Sequence, residues 1–198
     1  MSLKGSLRLT PIERRSAERF MDQHHERNAS QPGSVYLGLV WEGQLHGVLA
    51  WGSPVVNNAV HALGLRSRDA LELRRMIVDD TPPRNSESRA LGVSCTLIAR
   101  QYPHLRVLLT YCGLDEAATA YRACGWKMVA LNRNPSAVEI TTTGEKMSIK
   151  TFHDRYGSGA ERRVSHKMVT TPTQKLAYGL TPAVKARIDA LHTALMRG

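Results

Sequence analysis

An apolar strand, a polar junction, an amphipathic helix and a second apolar strand follow one another in the middle of the chain. Residues 71–78 are rich in apolar side chains, and residues 107–112 form a strand without a polar face. Between them, residues 88–101 carry apolar and small side chains at helical spacing, as a helix that packs on a sheet requires. Strands that alternate with helices are typical of α/β folds. The sequence therefore predicts an α/β (α+β) fold with a central mixed, twisted sheet flanked by helices.

Shorter patterns on both sides extend this arrangement. Apolar periodicity and turn residues predict a helix over 11–27, strands 35–41 and 45–51, a loop over 52–68, a short helix ending at Cys124, a strand over 126–131, a hairpin of 138–142 and 146–151, and a helix from Thr181 to near Arg197. Residues 152–177 follow no clear pattern. We expect one domain over residues 1–198, with a core of about residues 8–151 and a basic C-terminal segment and helix over 152–198.

Basic residues are concentrated near the C-terminal end. The chain has 27 Lys or Arg and 17 Asp or Glu, which gives a net charge of +10. Residues 144–198 hold ten of the basic and four of the acidic residues, so they carry +6. This excess favours an anionic partner such as nucleic acid, although a basic soluble protein without one has the same composition. The predicted phosphate contacts are Arg155, Arg162, Arg163, Lys167 and Lys175, with Phe152, Tyr156 and Tyr178 available for stacking on bases.

Cysteine use and hydropathy indicate the compartment. Cys95, Cys112 and Cys124 are the three cysteines, and they show no CxxC spacing. This argues against a disulfide framework and a zinc finger, and it fits a reducing cytoplasm. The longest apolar runs are too short to span a membrane, and we expect no secretory leader. The sequence therefore predicts a soluble cytoplasmic protein that does not contact a membrane.

The junction between the strand 71–78 and the following helix is rich in small polar residues. Asn85, Ser86 and Ser88 lie where backbone N–H groups at a helix start can hold an anion. The predicted cofactor-binding residues are Ile77, Val78, Arg84, Asn85, Ser86, Ser88 and Arg89.

Two motifs stand out around this junction. The first is the strand 71–78 with its polar loop, and the second is Tyr121-Arg-Ala-Cys-Gly-Trp126. Both resemble elements of the GNAT acyltransferases, a family that places the pyrophosphate of acetyl-CoA at such a loop and has a Tyr-x-x-x-Gly-aromatic element. The resemblance implies a GNAT-like fold and an acyl-CoA donor.

The loop differs from the family pattern in its glycines. GNAT enzymes have Gln/Arg-x-x-Gly-x-Gly/Ala, in which the glycines let the backbone approach the pyrophosphate. Counted from Arg84, this chain has Glu87 and Arg89 at the glycine positions. A second register that begins at Arg89 keeps one glycine, but it leaves a helix of only about two turns before Pro103. We therefore favour the register from Arg84.

Four short motifs lie along roughly residues 12–131. They are Glu72-Leu-Arg-Arg75, Asn85-Ser-Glu-Ser88 with Leu91-Gly92, Tyr111-x-x-x-Asp115 and Tyr121-x-x-x-Gly-Trp126. Together they resemble the phage Mu-type Mom DNA modification proteins, a divergent GNAT-like group. The resemblance implies a transferase that converts adenine in double-stranded phage DNA to a carbamoylmethylated base, in the host cell cytoplasm. This modification would protect the DNA from host restriction.

The resemblance matches four candidate catalytic residues, and the sequence adds His25 near the end of the first helix. Tyr121 would protonate a leaving thiolate, and Asp115 would orient or deprotonate the amine. Arg75 would bind a cofactor phosphate or Asp115, and Ser88 would bond a substrate oxygen. His25 would act as a base or a metal ligand. The structural alternatives are a core tyrosine for Tyr121, a helix cap for Asp115 and Ser88, a solvated sheet edge for Arg75 and a surface position for His25.

The implied product limits the choice of donor. A thioester offers its carbonyl carbon, so simple acetyl transfer would leave an acetylated base, whereas a carbamoylmethyl group is joined through its methylene carbon. The donor is therefore acetyl-CoA with further activation at carbon, another acyl or glycine-derived group, or one that depends on metal chemistry. His25, Tyr111 and Asp115 are available ligands for iron, but no recognised ligand spacing supports them, so the metal stays unassigned.

Three functions remain open from the sequence alone. The favoured one is Mom-like modification of DNA adenine. The second is an ordinary GNAT N-acetyltransferase that uses acetyl-CoA on a protein or small amine, and the third is a non-catalytic DNA-binding protein on a GNAT remnant. The oligomeric state is also open and includes a dimer.

Overall fold

A computed structural model describes residues 7–24, 33–114, 118–133, 137–157, 159–170 and 172–197, apart from the side chain of Arg162. Its strands are β1 (Arg8–Pro11), β2 (Val35–Trp41), β3 (Gln44–Gly52), β4 (Ala70–Val78), β5 (Val107–Gly113), β6 (Lys127–Asn132), β7 (Ala137–Ile140), β8 (Lys146–Ser148), β9 (His166–Val169) and β10 (Thr173–Gly179). Its helices are α1 (Arg14–His24), α2 (Asn58–Ala62), α3 (Ser86–Gln101), α4 (Thr119–Ala123), α5 (Ile149–Tyr156), α6 (Ala160–Arg163) and α7 (Pro182–Arg197).

The main sheet has the strand order β1-β2-β3-β4-β5-β10-β6. Strands β4 and β5 pair in parallel, and α3 forms the connection that a parallel pair requires. The other neighbours in this sheet pair antiparallel. The predicted mixed sheet flanked by helices is therefore confirmed.

Each face of the main sheet is covered by helices. On one face, Leu91 and Ile98 of α3 pack into a buried cluster with Trp51 and Leu108. On the other face, α1 packs against β2 and β3, and α2 and α7 pack against β5 and β10. Side chains alternate along a strand, so each strand contributes to both cores.

The C-terminal strand β10 lies inside the main sheet. It pairs with β5 on one side and β6 on the other, and Leu176 and Ala177 are fully buried. The main sheet thus extends past the expected core boundary near residue 151, because the last strand and α7 complete the sheet and its helical layer. The polar residues Gln174 and Lys175 hid this strand from the sequence pattern, although both side chains are buried.

The connection between β6 and β10 carries a small second sheet. Its strand order is β8-β7-β9, and it packs with α5 and α6 around a separate apolar cluster. In that cluster, Val138 and Ile140 of β7 and Phe152 of α5 are buried. The predicted hairpin is present, but its second strand ends at Ser148, where the Ser148 hydroxyl accepts a hydrogen bond from Thr151 N–H and caps α5.

Two further predictions differ from the structure. The first helix begins at Arg14, because Pro11 belongs to β1 and pairs with Leu37. The predicted loop over 52–68 contains α2 and a 3₁₀ turn at Ser67–Asp69. Helix α2 forms there because Ala59 and Val60 bury their side chains against the α7 side of the sheet. In the described parts of the chain, no helix has the length and apolar character needed to span a membrane.

Candidate functional site

A crevice opens between β4 and β5 at their C-terminal ends. The two strands pair from Ala70 with Val107 as far as Leu73 with Thr110, and the Thr110 hydroxyl donates to the Leu73 carbonyl at 2.9 Å. Beyond this pair, β4 continues to Val78 and β5 to Gly113. Ligands of open α/β sheets bind outside the carboxyl ends of the strands. The crevice therefore marks the part of the sheet where a ligand is expected.

A register shift in β4 changes the direction of its side chains beside the crevice. Leu73 pairs with Trp51 and Arg75 with Ala50, so Arg74 is an extra residue, as in a β-bulge. After the bulge, Met76 packs with the α3 cluster and Ile77 packs with the α1 cluster. Arg75 therefore shares the face of Ile77, on the α1 side of the sheet.

A pocket of about 380 Å³, here called the strand–helix pocket, lies where β4 passes into α3. It is lined by the 78–88 segment and by Thr119, Ala120 and Ala123 of the α4 helix. The predicted cofactor-binding residues Val78, Arg84, Asn85, Ser86 and Ser88 all line it. The other two do not: the Ile77 side chain packs on the α1 side of the sheet, and Arg89 lies past the lining segment in the first turn of α3.

The N-terminus of α3 supplies backbone donors to the strand–helix pocket. Asn85 has a left-handed backbone (φ 69°), and within the described residues its side chain makes no capping hydrogen bond. The Ser86 N–H donates to the Pro83 carbonyl at 3.1 Å. The next two N–H groups, of Glu87 and Ser88, belong to the first helical turn and have no intrahelical acceptor. Such donors, together with the helix dipole, favour an anion at a helix start, and the anion site that the register from Arg84 predicts stays a prediction.

Serine hydroxyl groups stiffen this turn. The Ser86 hydroxyl donates to the Pro83 carbonyl at 2.5 Å, and the Ser88 hydroxyl donates to the Asn85 carbonyl at 3.1 Å. In the structure, both side chains therefore satisfy backbone carbonyls of the loop. Ser88 lines the pocket. Its backbone N–H group, which has no intrahelical acceptor, would be the donor to a ligand bound at the start of the helix.

His46 and Asp79 anchor the start of the loop, which sequence reasoning missed. His46 Nδ1 lies 3.0 Å from Asp79 Oδ2, and the Thr81 N–H donates to Asp79 Oδ1 at 2.9 Å. Burial raises the pKa of Asp79, but the hydrogen bonds from Thr81 and His46 outweigh it and hold the pKa below its ordinary value. His46 follows the turn of a predicted hairpin, and no sequence signal links it to Asp79.

Helix α4 closes the strand–helix pocket from the other side. The Cys124 thiol donates to the Ser88 carbonyl at 3.0 Å, which ties the end of α4 to the start of α3. Tyr121 lies on α4, half-buried, with its ring edge-on to Trp126 at 5.7 Å between centroids. The predicted short helix that ends at Cys124 is confirmed, and Gly125 adopts the left-handed backbone (φ 81°) that ends it.

Two adjoining pockets, here called the Tyr111 pockets, lie beside the crevice and share Val56 and Tyr111. One, of about 380 Å³, is lined by Glu72 to Arg75 of β4 and the valines 55 and 56. The other, of about 350 Å³, is lined by the ends of β6 and β10 and by α2. The structure thus separates two predicted residues, because Arg75 lines a Tyr111 pocket and Ser88 lines the strand–helix pocket.

Buried charges form the floor of the Tyr111 pockets. The Lys175 ammonium donates to the Val56 carbonyl at 3.1 Å and lies 4.0 Å from the centre of the Tyr111 ring. Glu72 accepts a hydrogen bond from the Val55 N–H at 3.1 Å. Burial raises the pKa of Glu72 and lowers the pKa of Lys175, and each charge partly offsets the shift of the other. A charged residue inside an apolar strand was the signal for Glu72, whereas Lys175 gave none.

The predicted nucleic-acid contacts are only partly available. Lys175 is 5% exposed and Phe152 is 1% exposed, so the predictions of a phosphate contact and a stacking ring are wrong for these two. Tyr178 packs on Trp126 in the main sheet. Arg155 pairs with Glu145 at 2.6 Å, Lys167 pairs with Glu139 at 2.9 Å and Arg163 donates to the Tyr156 carbonyl at 3.0 Å. These three remain at the surface of the small sheet and its helices, and the Arg162 side chain lies outside the described residues.

Two predicted site residues and the predicted metal site depend on parts of the chain that the structure does not describe. His25 and Asp115 are not described, so their predicted roles, and the cap that Asp115 would provide for α4, stay predictions. Among the residues that the structure does describe, no group of three or more His, Cys, Asp or Glu side chains could hold a metal ion. The iron ligands considered from the sequence include both undescribed residues, so the described residues give no support to iron.

The fold defines the class of protein. The ribosomal-protein-S18-alanine N-acetyltransferase of Escherichia coli superposes with a TM-score of 0.53 at 15% identity, over 88% of this chain and 94% of that one. A Bacillus subtilis acetyltransferase, solved in complex with CoA, gives a TM-score of 0.50 at 12% identity over 89% of this chain and all of that one. The chain thus has the GNAT acyltransferase fold.

Within that class, the sequence identifies the family. Residues 6–187 match the model of the Mom protein family, so the chain belongs to this family. The methylcarbamoylase Mom of Escherichia phage Mu is 30% identical over 113 residues. That match covers 54% of this chain and 46% of the phage Mu protein, so the chain spans less than half the length of this relative.

Proposed function

We propose that the protein is a DNA-modifying transferase that converts adenine in double-stranded DNA to a carbamoylmethylated base. The observation that carries the proposal is the match of residues 6–187 to the Mom family. The phage Mu relative is named a methylcarbamoylase, and this name is the reason for proposing which group is transferred. A net charge of +10 fits a polyanionic substrate. In a phage-infected cell the modified DNA would resist host restriction, and the enzyme would act in the host cytoplasm.

The strand–helix pocket fits an acyl-CoA donor. The N–H groups of Glu87 and Ser88 would hold the pyrophosphate, with Arg84 beside it at the pocket wall. Glu87 and Arg89 stand in place of the family glycines, and both are exposed on the first turn of α3, where Glu87 lines the pocket and Arg89 does not. An acyl-CoA held in this way would supply a thioester-activated acyl group.

The residues of the chain have separate tasks in this proposal. Tyr121 would hold the proton that a leaving thiolate takes up, and Asp115 would orient the adenine amine. Arg75, on the face of the Tyr111 pockets, would hold an anionic group of the substrate, while Ser88 holds the cofactor through its backbone. His25 would serve as a base on the substrate side. Attachment through a methylene carbon still requires an activated donor other than a plain acetyl group, of the acyl or glycine-derived class.

Mass spectrometry of nucleosides tests the proposal. Plasmid DNA from cells that express the protein should contain deoxyadenosine shifted by the mass of a carbamoylmethyl group. Tyr121→Phe and Asp115→Ala should lose the shifted nucleoside, whereas Tyr102→Phe, which removes a hydroxyl at the far end of α3, should keep it. Unmodified DNA together with acetyl-CoA turnover on amines would overturn the proposal in favour of an ordinary N-acetyltransferase.

A further inference from the structure

Two buried charges hold one short segment above the crevice. Glu72 on β4 accepts from the Val55 N–H, and Lys175 on β10 donates to the Val56 carbonyl. Glu72 is 3% exposed and Lys175 is 5% exposed. Burying charged side chains is unfavourable unless partners compensate, and here both partners belong to the same two-residue segment. The sheet therefore fixes the position of Val55 and Val56.

The held segment presents apolar side chains to solvent. Val55 is 61% exposed and Val56 is 45% exposed, and together with Leu114, Met168 and Met196 they are the large hydrophobic side chains on the described surface. Val56 lines both Tyr111 pockets and Val55 lines one of them, while Ala130 and Leu131 of β6 line the other. Apolar side chains that line a pocket suit the faces of a planar ring.

The Tyr111 pockets also offer hydrogen-bond donors. Tyr111 and Lys175 lie directly opposite each other on paired strands. Among the described residues, the buried Tyr111 hydroxyl has no hydrogen-bond partner. The Lys175 ammonium has three N–H donors, and one of them donates to the Val56 carbonyl. A buried donor without an acceptor is unfavourable, so a ligand that brings acceptor atoms would satisfy both groups.

We propose that Tyr111, Lys175 and the Val55–Val56 segment form the pocket that receives the target adenine, flipped out of the duplex, and that the Tyr111 hydroxyl and Lys175 ammonium donate to its ring nitrogens. Adenine has unpaired acceptor nitrogens in the plane of its ring, and its faces are apolar. A primary amine on a protein or polyamine is cationic and would meet the Lys175 charge at this place. The inference rests on the proposed modification of DNA adenine.

The variant Tyr111→Phe gives the main test, because it removes only the hydroxyl. We expect the initial rate of deoxyadenosine modification on linear plasmid DNA to fall about tenfold, and Lys175→Met to lower it by at least as much. The retention of DNA in a gel-shift assay and the thermal midpoint of Tyr111→Phe should match those of the wild type. Tyr102→Phe, the matched loss of a hydroxyl outside the pocket, should modify DNA at the wild-type rate.

A second measurement reads the pocket without the reaction. Saturation-transfer NMR should detect 9-methyladenine on the wild-type protein, and Tyr111→Phe should reduce the signal severalfold. The analogues 9-methyl-7-deazaadenine and 9-methyl-1-deazaadenine each replace one ring nitrogen by carbon. At least one of them should bind more weakly than 9-methyladenine to the wild type. The same analogue should bind Tyr111→Phe as well as 9-methyladenine does. Such loss of discrimination would not follow from a merely structural role of Tyr111.

The two assays separate the failure of this inference from the failure of the proposed function. If the wild type modifies DNA and Tyr111→Phe does so at the same rate with the same 9-methyladenine signal, the pocket assignment is wrong. If the wild type leaves DNA unmodified, the proposed function fails. In that case, binding of 9-methyladenine that depends on the Tyr111 hydroxyl would still support an adenine pocket, and absence of binding would overturn it.

Discussion

The strand–helix pocket and the Tyr111 pockets lie on either side of β4 and would offer a ligand different kinds of hydrogen-bond donor. The first offers backbone N–H groups at the start of α3, and its serine hydroxyls only stiffen the turn. The second offers the side chains of Tyr111 and Lys175 above a buried carboxyl group. A backbone site depends on chain geometry and tolerates changes of residue, whereas a side-chain site depends on residue identity. We therefore expect the two sites to respond to different kinds of substitution.

Leu73→Ala should damage both sites at once and have the largest effect. Leu73 is 2% exposed, packs in the α3 cluster and lies at the last β4–β5 pair, where the crevice opens. Removing a buried leucine side chain costs about 2–5 kcal/mol of folding free energy. Urea unfolding should show this loss, and binding of both CoA and 9-methyladenine should weaken. Leu73→Met keeps the side-chain volume and should cost less than about 1.5 kcal/mol of folding free energy. If Leu73→Met lost as much stability as Leu73→Ala, the packing role of Leu73 would be contradicted.

Ser88→Pro should break the strand–helix pocket alone. Proline is tolerated in the first turn of a helix but has no N–H group, so the variant removes one anion donor. A hydrogen bond to a charged group contributes about 1.5–3 kcal/mol, and CoA affinity by calorimetry should fall roughly tenfold to a hundredfold. Ser88→Ala keeps the N–H group and should bind CoA nearly as the wild type does. If the alanine variant lost as much affinity, the hydroxyl rather than the backbone would be the donor.

The contrast between backbone and side-chain sites also explains what could be predicted from the sequence. The β4–α3–β5 unit and the proposed anion site at Asn85 to Ser88 follow from local patterns, namely an apolar strand, small polar residues and a helical period. Strand β10 and the pairing of Lys175 with Tyr111 depend on residues far apart in the chain, and Lys175 resembles a surface residue in a basic segment. Long-range strand pairing and the burial of Lys175 therefore leave no local signal.

Glu72→Gln should change how stability depends on pH. Burial raises the pKa of Glu72 in the folded protein above its ordinary value of 4.5. The folded state then binds its proton more tightly than the unfolded state, so this group lowers stability as the pH rises above about 4.5. Glutamine does not titrate, so the stability of the variant should gain on that of the wild type between pH 4.5 and neutral. Parallel curves from urea unfolding across this range would contradict the assigned burial.

Asp79→Asn should act with the opposite sign at the strand–helix pocket. The hydrogen bonds from Thr81 and His46 hold the pKa of Asp79 below its ordinary value of 3.8, despite burial. The unfolded state then binds the proton more tightly, so Asp79 contributes stability that is present above pH 3.8 and is lost as the pH falls through the lower folded value. The variant should therefore be less stable than the wild type near neutral pH, and the difference should shrink in acid. A difference that stayed constant down to pH 2 would rule out this linkage.

Arg155→Gln should have the smallest effect on stability and sharpens the comparison at a third place, the surface of the small sheet. Arg155 pairs with Glu145 at 2.6 Å, with side chains 48% and 45% exposed, and such pairs contribute about 0–1 kcal/mol. Urea unfolding should therefore barely change. If Arg155 contacts a DNA phosphate, as the sequence predicts, the slope of log K against log salt for DNA binding should fall by about 1. Glu145 pairs with the Arg155 guanidinium in the absence of DNA, so Glu145→Gln should strengthen DNA binding. If the salt slope of DNA binding stayed unchanged in both variants, the phosphate contacts would lie elsewhere on the protein.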